Sequence, residues 1–259
     1  MDALLPITER VPVEETLQVL EYIKYERDKK QVRQYIEDIL PFSETTKAKY
    51  RQRIYERYLV FNGEEVVYTP FIKYVNEVES YQIKKELLFY MTAVSTETLQ
   101  VILKDISSGV IKEKFTKTDF KHYLTERMTT SKPQSVDKTL SVITTILKDF
   151  NILTVKEDSM NKESSFFVND RFRPSYETIA FCLYFEFFEI QDNRILNVNT
   201  FKGANTFKYF LMNPILSTRY TKWLIEKGYL EHFKMGTNEQ YQITSTSLED
   251  FVEKVIENA

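Results

Sequence analysis

The spacing of apolar positions divides the chain into a helical first part and two later segments in which helices give way to short β-like runs. Up to about residue 108 apolar residues recur at helical intervals. The expected helices span 13–30, 31–40, 45–61, 81–93 and 96–107. Glu14 and Glu15 suit the start of the first, Pro41 ends the second, and Ser43 and Glu44 open the third. Asn62-Gly63 marks a turn and Gly109 a helix stop. In 45–61, Tyr50, Ile54, Tyr58 and Phe61 form an apolar stripe, with Lys49, Arg53 and Arg57 as a basic stripe beside it at i, i+4, i+8.

After Phe115 the pattern changes. A helix over 119–128 leads through a polar loop to a second over 136–150, with Ser135 as its N-cap and Leu140, Ile143 and Leu147 on one face. Asn151 tolerates a left-handed cap, and β-like runs follow at 152–155 and 165–168. The same order returns. A helix over 205–211 breaks at Asn213-Pro214, Ser217 caps a helix over 218–227, Gly228 ends it, and strands at 229–233 and 240–244 flank a tip at 235–238. A final amphipathic helix covers 247–258. Helix, helix, hairpin is the order of a winged helix-turn-helix. Between the two, 176–190 carries aromatics on nearly all sides and reads as a buried central helix. The expected fold is therefore mainly α. A helical N-terminal domain (1–108) precedes a first winged-helix-like unit (109–172), and 173–259 holds the aromatic helix and a second such unit, each unit with a short β-hairpin.

Composition is ordinary for a globular chain: 42% hydrophobic, 28% charged, net charge −3. That net charge argues against indiscriminate coating of nucleic acid, but local sums differ from it. Residues 101–156 carry ten cationic side chains against six acidic, a balance of +4, and 199–236 carry six against two, also +4. The last 21 residues sum to −4. The basic blocks coincide with the two units. No apolar run is long enough to span a membrane, and no secretory signal opens the chain, so a cytoplasmic, non-membrane protein is expected.

Catalytic chemistry finds little footing. The two histidines, His122 and His232, are 110 positions apart, the lone Cys182 sits in the aromatic helix, and the five glycines are scattered. No phosphate-cradling loop, metal cluster or nucleophile motif is present, so no enzyme activity, cofactor or metal is expected. Double-stranded DNA is the expected partner. In each unit the second helix would enter the major groove and the wing would touch the backbone. The contacts expected in the first unit are Lys132, Lys138, Lys148, Lys156 and Lys162, with Ser135, Ser141, Thr144 and Thr145 on the same helix. In the second they are Arg219, Lys222 and Lys234, with Ser217 and Thr218, and Lys49, Arg53 and Arg57 would supplement both. Short hydroxyls and sparse Arg or Asn suit weak sequence preference. A protein-interaction adaptor and a transcriptional regulator, both using winged helices, are the competing readings.

The order of several segments resembles the BrxA family, accessory proteins of the BREX phage-defence systems. It rests on a helical N-terminal region ending in Lys47–Tyr58, and on Val110-Ile111-Lys112-Glu113-Lys114-Phe115 leading into Lys117-Thr118-Asp119-Phe120. Ser135-Val136-Asp137-Lys138-Thr139-Leu140 then runs to Leu147-Lys148-Asp149-Phe150-Asn151-Ile152-Leu153, and Phe172-Arg173-Pro174-Ser175 precedes the aromatic helix. The resemblance covers most of the chain and is clearest over 80–190; Asn151 stands where family members often have Gly. It implies a non-enzymatic, largely helical protein that binds double-stranded DNA in phage restriction, with other BREX proteins as candidate partners. It supplies no catalytic residues.

Overall fold

The computed structural model describes residues 3–130, 132–157, 164–236 and 238–257. An extended N-terminal segment, 3–12, leads into α1 (Val13–Tyr22), α2 (Lys29–Ile39) and α3 (Glu44–Tyr58). The single helix expected over 13–30 is broken because Asp28 starts a new one, its side chain accepting the amides of Lys30 and Gln31, both at 3.0 Å. Tyr22 stacks on Tyr35 at 4.1 Å between ring centroids, which fixes α1 against α2. The turn at Asn62-Gly63 joins β1 (Phe61–Asn62) to β2 (Glu65–Val66), with Gly63 at φ +61°. An unexpected helix, α4 (Pro70–Glu77), follows; Thr69 caps it and Pro70 takes a first-turn position that needs no N–H. Then come α5 (Tyr81–Val94) and α6 (Glu97–Ser107).

The next elements are β3 (Lys114–Thr116), α7 (Lys117–Arg127), α8 (Pro133–Asp149), β4 (Leu153–Glu157) and β5 (Ser164–Val168). The strands form an antiparallel sheet in the order β3-β5-β4. A reciprocal capping box, Thr116 with Asp119, starts α7 two residues earlier than expected. Helix α8 likewise begins at Pro133 rather than after Ser135, because a first-turn proline is pre-set for helix.

The sequence of elements then repeats: α9 (Tyr176–Phe185), extended by one π-helical turn (Glu186–Ile190), β6 (Ile195–Asn197), α10 (Val198–Lys202), α11 (Asn205–Tyr209), α12 (Pro214–Glu226), β7 (Leu230–Met235) and β8 (Asn238–Ile243). Its sheet has the order β6-β8-β7, matching the first. Helix α12, like α8, starts at a proline, here with the Asn213 side chain accepting the Leu216 amide at 2.9 Å. In both units helices thus lead into an antiparallel hairpin, and each hairpin gains a third strand that the pattern did not announce. α13 (Leu248–Glu257) closes the chain against α4 and α9.

Helix α9 is the central helix expected: Thr178 to Tyr184 are all buried. Phe181 stacks on Tyr74 of α4, and Tyr184 on Phe251 of α13, so one helix ties the N-terminal region to the C-terminal helix. Two buried glutamates start the following helices. Glu86 of α5 accepts the Ser175 amide (2.8 Å) and the Thr178 hydroxyl (2.6 Å) at the head of α9. Glu186 accepts the amides of Asn205 and Thr206 (each 2.8 Å) at the head of α11. First-turn amides have no intrahelical acceptor, and a carboxylate satisfies two at once.

Candidate nucleic-acid interface

Helix α12 separates its faces cleanly. Ser217, Tyr220, Thr221 and Leu224 are buried; the Tyr220 hydroxyl donates to the Pro174 carbonyl, and Thr221 to that of Ser217. The opposite arc presents Pro214, Ile215, Thr218, Arg219 and Lys222 along an open groove of about 530 Å³. Ser217 does not belong to that arc: it is buried and donates to the Pro214 carbonyl at 3.1 Å. In the hairpin, exposed His232 stacks on Tyr241 and its Nε2 lies 2.7 Å from Glu239 on one face. Lys234 is exposed and pairs in register with Glu239. On the other face Phe233 and Met235 project into solvent.

The first unit is arranged differently. The N-terminal segment runs alongside α8. Leu4 exchanges backbone hydrogen bonds with Arg127 and Thr129, Leu5 with the Thr98 hydroxyl of α6, and the Ile7 amide donates to Thr139 of α8 at 3.3 Å. Leu4, Ile7 and Val11 are buried as a result. Thr8 and Glu9 share a groove of about 460 Å³ with Lys49, Arg53 and Lys138, and Arg10 to Glu15 share a second with Asp149. One flank of α8 is therefore occupied by the chain's own segment. Thr144, expected on the DNA side, is buried and bonds the Leu140 carbonyl. Lys132, Lys138, Lys148 and Lys156 are exposed, Lys156 with its ammonium 5.2 Å from the Phe167 ring centre. Lys162 lies outside the described residues.

The expected basic stripe on α3 does not form. Lys49 is exposed, but Arg53 is half-buried and held by Glu9 (3.1 Å) and Glu56 (2.5 Å). Burial works against its charge, and hydrogen bonds and charge from Glu56 and Glu9 outweigh it, raising its pKa. Arg57 is only 5% exposed and donates to the Glu9 carbonyl at 3.3 Å; burial pushes its pKa down. Both arginines anchor the N-terminal segment, Arg57 from a buried position and Arg53 from a half-buried one. The i, i+4, i+8 spacing gave their shared flank correctly, but not what covers it.

Potential reactive groups are dispersed. Cys182 is fully buried and burial pushes its thiol well above the usual range. His122 faces Glu126 at the surface, and no group of three or more His, Cys, Asp or Glu able to hold a metal occurs among the described residues. No helix of the described residues is long and apolar enough to cross a membrane.

No family model and no curated protein matches the chain. Its overall architecture is shared with solved structures. An SspB crystal structure is 10% identical, with a TM-score of 0.58 over 99% of this chain and 88% of that one. A magnesium-ion-bound SspB crystal structure is 11% identical, with a TM-score of 0.60 over 97% and 88%. At such identities the likeness is one of fold.

Proposed function

We propose that the chain is a non-catalytic accessory protein that binds double-stranded DNA in the cytoplasm, as part of a BREX-type phage-defence system. The observation that carries the reading is the outward arc of α12. Thr218, Arg219 and Lys222 stand exposed in one groove, next to a hairpin bearing Lys234, within a segment of net charge +4. A helix of this kind enters a major groove, and cations on it and on its wing release counterions from the phosphates. The second unit is the main contact. In the first, Lys132, Lys138 and Lys148 supplement it, because the N-terminal segment occupies a flank of α8.

The test is titration of a labelled mixed-sequence duplex at several salt concentrations, with wild type and an Arg219→Glu/Lys222→Glu variant. Each phosphate contact adds about 0.9 to the log–log salt slope, so the variant's slope falls by about 2 and its low-salt affinity collapses. Absence of wild-type binding at low salt overturns the reading. A protein-interaction adaptor is then favoured by the exposed Phe233 (47%) and Met235 (82%) on the hairpin, whose partner binding would be insensitive to salt.

A further inference from the structure

One strongly exposed residue of α12 is not charged. Ile215 is the second residue of the helix and is 81% exposed. At 100° per residue it lies near the middle of the outward arc, with Thr218 and Arg219 on either side and Lys222 two turns along. The helix already seals the core with its opposite face, so Ile215 contributes nothing to its own fold. Arg219 and Lys222 flank it, and the complementary surface is therefore a polyanion that also presents apolar groups. In the major groove the apolar group offered to a recognition helix is the thymine C5-methyl, and residues at the helix start are the ones that reach base edges.

We infer that Ile215 contacts a thymine methyl in the major groove, giving this helix a preference for thymine that its Arg219, Lys222 and hydroxyls do not supply. The inference rests on the DNA-binding reading and specifies what the same groove recognises. The apolar contact replaces water on both partners, and each contacted methyl raises affinity roughly four-fold, about the effect of burying one methyl-sized group.

The experiment selects duplexes from a random library with wild-type protein. The best sequence is then resynthesised with deoxyuridine for each thymine in turn, which removes only the methyl. Expected are enrichment of a thymine position, a loss of roughly four-fold on its replacement by deoxyuridine, and disappearance of that difference in Ile215→Ala with the salt slope unchanged. Salt-dependent binding with no thymine enrichment, or with thymine and deoxyuridine indistinguishable at every position, overturns the inference and leaves DNA binding standing. An unchanged thymine–deoxyuridine difference in Ile215→Ala overturns the role of this residue. Failure to bind any duplex at low salt removes the underlying reading and this one with it.

Discussion

Replacing Glu186 is the sharpest test of how the second unit is held. The side chain is fully buried, with one carboxylate oxygen accepting the Asn205 amide (2.8 Å) and the Gln191 side chain (3.0 Å). The other accepts both the amide and the hydroxyl of Thr206, each at 2.8 Å. In Glu186→Ala the buried Thr206 amide and the part-buried Asn205 amide at the head of α11 lose their acceptor. An orphaned buried donor costs about 1–3 kcal/mol, so with one amide only part-buried and partial relief from removing a buried charge the variant should lose about 2–4 kcal/mol. Glu186→Gln keeps the shape and one oxygen. Either the Thr206 hydroxyl or the Gln191 amide can turn to accept from the new NH2, which leaves a single amide orphaned and a cost of about 1–3 kcal/mol. Urea unfolding read by circular dichroism gives the ranking through the midpoint, with the m-value unchanged. An alanine variant within about 0.5 kcal/mol of wild type would refute the reasoning, as would glutamine proving worse than alanine.

Two more outcomes separate surface from scaffold. Arg57→Gln should leave DNA affinity and its salt slope at wild-type values, whereas Arg219→Gln should lower the slope by about 1; both are read in the same duplex titration. A changed slope in Arg57→Gln would mean that the guanidinium reaches solvent. Asp119 accepts the Thr116 amide at 2.8 Å and the Asp119 amide bonds the Thr116 hydroxyl in return; the first of these bonds does most to hold the carboxyl below its usual pKa. A carboxyl lowered on folding stabilises above its unfolded pKa and loses that contribution as pH falls through the folded one. Asp119→Ala should cost about 1 kcal/mol at neutral pH, with the gap to wild type closing as the pH falls below the ordinary aspartate range. A gap that persists in acid, measured by thermal melting across pH, would show that charge plays no part in this cap.

Much of the fold was legible because local rules and packing agree. The helices from α5 to α9 follow apolar spacing, and Gly228, at φ +72°, ends the turn after α12 where a Cβ would be strained. Helix α4 was readable but missed, although Thr69 followed by Pro70 is a helix-start signature. The same cap-then-proline logic, here Asn213-Pro214, places the start of α12 at Pro214 rather than after Ser217. Strands β3 and β6 carried too little signal: three residues do not establish an alternation, and pairing with β5 and β8 makes them strands.

The sequence by itself determined the periodicities, the caps and the clustering of cations in the two units, since these depend on residues a few positions apart. It could therefore name Arg219 and Lys222, whose exposure follows from the amphipathicity of their own helix, and Lys234 on an exposed strand. Only the tertiary structure decided that the two units are unequal. Residues 4–11 reach α6, α7 and α8 across 93 to 132 positions of sequence, taking Arg53 and Arg57 with them. A contact between such distant segments leaves no periodic trace in either one. Whether a cation faces water or anchors a buried backbone is settled by what folds over it.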